Sequence, residues 1–371
     1  SPLRVGNLVI KNRIEASPIA IPNDSPEFAS MENMVSYELR ARSGAGLIVH
    51  EETAVCKLAD DSAGPTFSDT ALMLQDIMKE SEAVHRYGGI SSVSIVHHGG
   101  WNTLAVAPDG KLYAPSAFQN PYGVMTTEMP EDIIFQLVEA YARAAEMAQY
   151  GGHDMVQIHG AHGWLLSQFM SPLYNHRTDQ YGGSLENRAR FPLMIVDAIR
   201  KRCPNLPIEY RFSANDFMEG GFAPEEAAEF AQMLDGKVDL IHITSSSFFD
   251  PSCGKLFPSM FTERGVNLPL AAFIKQHVKT PVCTVGRISD LKQADEAIAN
   301  GEVDMVAAAR AFFADPRWVS KVYHGREEDV VPCLRCGTCI PGAYGPAHYT
   351  PFHAHIRKCA VNPILGREWQ R

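Results

Sequence analysis

Short apolar runs rich in β-branched residues recur eight times along this chain. They are "NRIEASPIA" (12–20), "GLIVHEETAV" (46–55), "ISSVSIVHH" (90–98), "DMVQIHGA" (154–161), "PIEYRFSAN" (207–215), "VDLIHITSS" (238–246), "PVCTVGR" (281–287) and "VDMVAAAR" (303–310). Most are near-continuous Val/Ile/Leu stretches, as parallel strands covered on both faces require. Between them the apolar period changes to that of a helix. From Pro130 to Tyr150, residues Ile134, Leu137, Val138, Tyr141, Ala145 and Ala148 mark one face. Pro130 suits a helix start, Glu131 and Asp132 suit the first turn, and Gly151 suits the stop. The stretches 31–42, 71–87, 184–202, 224–235, 268–278 and 290–300 read as helices in the same way. Eight strands alternating with helices predict an α/β fold, a (β/α)8 TIM barrel. No GxGxxG follows the first run, which argues against a dinucleotide-binding open sheet.

Composition narrows the functional classes. The chain has 371 residues, 45% hydrophobic and 20% charged, an ordinary globular balance. Its net charge is −10 and no basic stripe is visible, so nucleic acid is not an expected partner. No apolar run reaches the ~20 residues of a membrane span, so no membrane is expected either. No leader is apparent, and a reducing, cytoplasmic compartment is the expectation.

Barrel enzymes carry their chemistry on the loops after the strands. The long loops here follow the third, fourth and sixth runs, at 99–129, 161–183 and 247–267. After the fourth run, His159 and His162 stand three residues apart. Two imidazole N–H groups aimed together polarise a carbonyl oxygen and stabilise the enolate formed when hydride adds to the conjugated carbon. The seventh and eighth runs end in "VGRIS" and "AAAR". There Gly286 and small residues open the backbone, and Arg287 and Arg310 bring charge to a barrel's usual phosphate position. Arg211, on the fifth run, needs an anion or several acceptors if buried. A flat, phosphorylated, hydrogen-bonding cofactor meets all these demands. Near the end, "CLRCGTC" sets Cys333, Cys336 and Cys339 in C-x2-C-x2-C spacing, with Cys359 beyond a 19-residue spacer. Four such thiolates suit a cubane iron–sulfur cluster, and zinc also takes four.

These motifs resemble the old yellow enzyme family of FMN-dependent oxidoreductases over nearly the whole chain. "SPLRVGNLVIKNRI" is similar to the family's opening, and "HGAHGWLLSQFMSPLYNHRTDQYGGSLENRARF" to its longest signature. "CLRCGTC…CAVNP…GRE" resembles the narrower group that includes 2,4-dienoyl-CoA reductase, trimethylamine dehydrogenase and bile-acid enoate reductases. The resemblance implies an FMN barrel over residues 1–325 and a 4Fe-4S-binding extension over 326–371. It also implies NAD(P)H as electron source, a homo-oligomer, and a redox partner that is either a separate reductase or a following domain for FAD and NAD(P)H. It assigns His159 and His162 to the substrate oxygen and Arg211 to the N1–C2 edge of the flavin. Ser17, Pro18, Ile19 and Ala20 would line the isoalloxazine, with Glu52 and Ser94 also on the flavin side. Gly286, Arg287, Ala309 and Arg310 would hold the phosphate, and Cys333, Cys336, Cys339 and Cys359 the cluster.

Three positions depart from the family. Trp164 stands where a tyrosine usually gives the proton to the substrate. Ser94 replaces a glutamine that contacts the pyrimidine ring. Ala20 replaces the cysteine that trimethylamine dehydrogenase joins to its flavin, so FMN is expected to be non-covalent. The expected activity is reduction of a C=C bond conjugated to a carbonyl or thioester. Trp164 would be a pocket wall, and water, Tyr113 or Tyr344 the proton source. An amine dehydrogenase or N-demethylase is the alternative enzyme, and an electron-transfer subunit without a substrate of its own the alternative class. His348, His353 and His355 read as loop histidines.

Overall fold

In the computed structural model, residues 1–19, 31–56, 71–101, 109–250, 255–288, 290–339 and 359–368 are described. The expected residues Ala20, Tyr344, His348, His353 and His355 lie outside them. A hairpin, β1 (Leu3–Val5) and β2 (Leu8–Ile10), precedes the barrel. The barrel strands are β3 (Ile14–Ala16), β4 (Leu47–Ala54), β5 (Ile90–Val96), β8 (Met155–Gly160), β9 (Ile208–Ser213), β10 (Leu240–Thr244), β11 (Val282–Val285) and β12 (Met305–Ala308). Each pairs in parallel with the next, and β12 returns to β3, so the eight strands close. Each falls inside one of the eight apolar runs. A short pair, β6 (Tyr113–Ala114) and β7 (Thr127–Glu128), decorates the loop after β5.

Helices cover the strands in the expected order. They are α1 (Met31–Ser43), α2 (Ala71–His85), α3 (Glu131–Tyr150), α5 (Leu185–Arg202), α6 (Pro224–Leu234), α7 (Leu268–Lys275) and α8 (Leu291–Ala299). The hydroxyl of Ser184 caps α5 by accepting from the amide of Asn187, and Asp290 caps α8 from Lys292. Two shorter helices were not foreseen, α4 (Leu165–Met170) and α9 (Arg310–Ala314), and a third, α10 (Trp318–Tyr323), stands where the last helix was expected to end, near Gly325. Each is too short to show a helical period of its own. Among the described residues no helix is long and apolar enough to cross a membrane.

The inside of the barrel is stacked in layers by the two-residue alternation of its strands. At the bottom, Val5 and Ile10 of the hairpin pack with Leu47, Val49, Met155, Leu240, Cys283, Met305 and Ala307. Above them lies a buried polar layer of Glu15, Gln157, Glu209 and His242. One more step up the same strands come His159, Arg211 and Thr244. The fold therefore delivers its chemistry to one end.

Between β4, β5 and α2 sits a second buried polar group, outside the barrel. His50 stacks on Tyr37 with ring centroids 3.9 Å apart, and its Nδ1 is 3.2 Å from Glu80. Ser91 Oγ lies 3.1 Å from His50 Nε2 and 2.9 Å from His153 Nδ1. Burial pushes the His153 imidazole down to about 3. Below the unfolded value of about 6.5, the unfolded chain takes up a proton that folded His153 refuses. Stability is therefore lost as pH falls, by about 1.4 kcal/mol per pH unit for this group. His153→Asn should make the unfolding free energy, measured in urea, shallower by about one proton between about pH 6 and pH 4.

Candidate functional site

A β-bulge arranges the top of the barrel. His50 pairs with Val93 and Glu52 with Ser94, so Glu51 is one residue too many. His50 and Glu51 consequently face the helices together: His50 toward Glu80, and Glu51 accepting from Asn33 Nδ2 at 2.6 Å. Glu52 turns inward instead, as bulges beside active sites re-aim side chains. Its Oε1 is 3.2 Å from His159 Nε2, and its Oε2 is 3.7 Å from His98 Nε2.

His159 and His162 do meet. His162 Nδ1 is 3.1 Å from His159 Nε2, and His162 Nε2 is 3.2 Å from Thr244 Oγ1. The loop bends sharply to achieve this, with His162 at φ 65° and Gly163 at φ 85°. A histidine in the left-handed region stores strain, which the surroundings must hold. Ser213 Oγ accepts from the His162 amide at 3.0 Å, and the His162 carbonyl accepts from the Phe248 amide at 2.9 Å. Gln168 ties the neighbouring loops, donating to the carbonyls of His98 and Gly163 and accepting from the Gly100 amide.

Burial, followed by the charges of Arg211 and His159, holds His162 well below its ordinary value. Burial also lowers His159, against the pull of Glu52. Burial alone would raise the Glu52 carboxyl, but His159 and His98 outweigh it and hold Glu52 well below the usual carboxylate range. The mouth thus sets two imidazoles whose charged forms burial disfavours beside a carboxylate held toward its charged form.

Arg211 lies directly across the β8–β9 ladder from His159. It is 6% exposed, and its Nε has no hydrogen-bond partner. Beneath it, His242 Nδ1 bridges Glu209 at 2.7 Å and Glu15 at 3.3 Å, and Cys283 Sγ donates to Glu15 at 3.4 Å. Ser94 Oγ donates to Gln157 Oε1 at 3.0 Å, which places the residue standing for the family's glutamine inside the barrel.

Trp164 forms part of an aromatic roof with Trp101, Phe248 and Phe249. Its ring centroid is 4.6 Å from that of His98 and 4.8 Å from that of Phe248. Tyr113 is placed differently. Its hydroxyl donates to Asp109 at 2.7 Å, a bond that, with burial, pushes the phenol up to about 12. It packs with the main core cluster rather than with the roof.

The opposite rim is built from the ends of β11 and β12. Gly286 has φ 146°, and a Cβ there would lie 2.8 Å from Asn267 Nδ2, which donates to the Val285 carbonyl at 2.6 Å. Arg287 follows at φ 55° with its Nε buried and unpaired. Ala309 precedes the turn of α9, and Arg310 Nη2 donates to the Pro258 carbonyl at 2.9 Å. The Ser17 amide donates to the Ala308 carbonyl at 3.0 Å, while its Oγ is buried without a partner. Pro18 and Ile19 follow, half-buried.

Sequence reasoning missed Arg335, which sits half-buried at φ 55° between Cys333 and Cys336. Burial lowers its guanidinium to about 10 against the opposing pull of Cys333, and Arg287, Arg310 and Arg264 add like charge. Several cations thus converge on this rim. Also missed were His98, Ser213 and Thr244. The inward alternation of β9 and β10 carries the signal for the last two.

The donors fit a flavin mononucleotide. Buried, partnerless N–H groups on Arg211 and Arg287 await acceptors at two separate places, and Gly286 keeps the backbone clear of a Cβ. The four cysteines also come together. Cys333, Cys336, Cys339 and Cys359 line one small pocket with Arg310 and Phe313. Burial, reinforced by the other three thiols, pushes Cys339 up to about 12. The compact donor groups found among the described residues, with ligand atoms within 4.8 Å of each other, contain none of these four.

A family model described as the NADH:flavin oxidoreductase / NADH oxidase family matches residues 1–329. The chain is 36% identical to an NADH oxidase of Thermoanaerobacter brockii, over 98% of this chain and 56% of that protein. It is 30% identical to a cinnamate reductase of Clostridium sporogenes, over 99% of this chain and 58% of that protein. Among solved structures, a 2-naphthoyl-CoA reductase in complex with 2-naphthoyl-CoA superposes with TM-score 0.89 at 29% identity, covering 99% of this chain and 57% of that one. The chain thus spans a little over half the length of these relatives.

Gly286→Ala should destabilise the protein by about 1–3 kcal/mol, since the new Cβ is both crowded and strained in φ. The midpoint of urea unfolding measures it.

Proposed function

The chain belongs to the NADH:flavin oxidoreductase / NADH oxidase family, and from that premise we propose that it is a flavin-dependent oxidoreductase that binds FMN and one 4Fe-4S cluster and reduces an activated C=C bond conjugated to a carbonyl or thioester. The observation that carries this reading is the His159–His162 pair, 3.1 Å apart and buried at the barrel mouth beside Arg211.

Bound FMN supplies the hydride. Arg211 would face its N1–C2 edge, and Gly286, Arg287, Ala309 and Arg310, joined by Arg335, its phosphate. His159 and His162 hold the substrate's carbonyl oxygen and donate to the negative charge that gathers there. Because burial disfavours their charged forms, they would stabilise that charge as hydrogen-bond donors. The left-handed turn at His162 and the bond from its amide to Ser213 fix the pair before substrate arrives. Trp164 would cover the substrate with its face, and its indole N–H is no acid, so the one proton that completes the reduction beside the hydride would come from water or from Tyr344, which lies outside the described residues. Tyr113 is engaged with Asp109 and does not serve.

The cysteine segment is proposed as a 4Fe-4S extension over 326–371, docked on the barrel domain of 1–325. The Asn362 side chain donates to the Phe313 carbonyl at 2.8 Å, and the Val331 amide donates to Asp315 at 3.1 Å. Held by Cys333, Cys336, Cys339 and Cys359, such a cluster would supply single-electron transfer between the flavin site and an NAD(P)H-linked partner or a following domain.

Steady-state assay of an enone against a tertiary amine tests the reaction class, and oxidation of the amine alone would overturn the reading. Anaerobically purified protein should carry about four irons and four sulfides per chain. Cys359→Ser should lose most of both, and stoichiometric zinc would contradict the cluster. In single turnover, His159→Ala and His162→Ala should slow substrate-driven flavin reoxidation by roughly 10²–10³-fold. Trp164→Phe should stay within about tenfold, well short of the 10²–10⁴-fold loss of a true general acid.

A further inference from the structure

Glu52 is an anion set where the proposed reaction holds an oxygen. The bulge at Glu51 turns it into the mouth, and its carboxylate touches the same His159 Nε2 that would meet a substrate carbonyl. The groups facing it are His159, His98 and, deeper, Arg211. Burial works against the charged form of His159, and both imidazoles reach the carboxylate through a ring nitrogen. The Arg211 charge is already shared with Glu15 and Glu209 beneath it. A second anion on this side of the mouth would therefore have to share Arg211 with Glu15, Glu52 and Glu209.

We infer that Glu52 is a specificity-determining residue that admits neutral conjugated carbonyl compounds (amides, ketones, thioesters) and rejects free carboxylates. The inference rests on the reading of the site as a reductase of conjugated carbonyls. An oxygen held by His159 lies only a few ångströms from the Glu52 carboxylate. A neutral carbonyl tolerates that neighbour when it binds, and the negative charge that gathers on its oxygen only during reduction is met by the donors of both His159 and His162. A carboxylate meets like charge at short range, and at an effective dielectric of about 20 such a contact is worth a tenfold or larger discrimination. This is selection by a repulsive element rather than by a better fit. The roof of Trp101, Trp164 and Phe248 is indifferent to the charge of the head group and accepts any flat, apolar tail.

The test uses two ligands of the same shape and different charge. Oxidised protein carrying FMN is titrated with cinnamate and with cinnamamide, and binding is read from the perturbation of the flavin absorbance. The wild-type protein should bind cinnamamide at least about tenfold more tightly than cinnamate. Glu52→Gln should bring the two within about threefold, through binding of cinnamate that tightens relative to that of cinnamamide. A merely structural role would weaken both ligands alike and leave their ratio untouched, which would overturn the inference. Equal affinities in the wild-type protein would overturn it as well, without recourse to any variant. A flavin spectrum that answers to neither ligand would instead strike down the underlying reading of the site, and the inference with it.

Discussion

A closed ring of parallel strands permits only alternate side chains to face its axis, and the position of each chemical group in this molecule follows from that constraint. Along β8 the inward series is Met155, Gln157, His159; along β10 it is Leu240, His242, Thr244. Each series runs from apolar at the bottom to polar at the top, because the hairpin Val5 and Ile10 seal one end and the loops open at the other. On β4 the alternation is broken once. The extra residue at Glu51 sends His50 and Glu51 to the helix side and gives Glu52 to the mouth. A regular strand would have put Glu51 there instead.

Burying several charges in such a space requires them to balance. Arg211 is inside with Glu15, Glu209 and His242, and Glu52 approaches it from above. His242 stands between two carboxylates, so the layer under the mouth is an ionic network and not an apolar plug. Removing one member would leave its partner charged and unpaired, which costs more than the pair contributes. This layer fixes Arg211 at the height where a flavin's polar edge would need it. It also leaves that cation little capacity to attract a second anion.

The cysteine segment depends on the barrel in turn. Cys339 and Leu365 join Tyr37, Phe312, Phe313 and Trp318 in one apolar cluster. Arg310 lines the cysteine pocket while belonging to the turn after β12, and Arg335 reaches from the cysteines toward that rim. The proposed phosphate and cluster sites are therefore neighbours built on shared residues. One-electron exchange between two centres favours such closeness.

The sequence by itself determined the eight strands, the seven long helices and their order, because parallel strands buried on both faces and amphipathic helices write different periods into the chain. It also determined that His159, His162, Arg211, Gly286 and the four cysteines were the residues to watch, since their types and spacings carry chemistry directly. Only the tertiary structure decided the company they keep. It brought Glu52 to His159 through a bulge whose extra residue has no mark in the sequence, and it placed Arg335 among arginines far away in the chain. It set Tyr113 against Asp109 and roofed the histidines with Trp101 and Phe248, contacts made by long loops with no period to read. Local pattern fixes which face of an element is buried; which distant side chains share that burial is settled only when the ring closes.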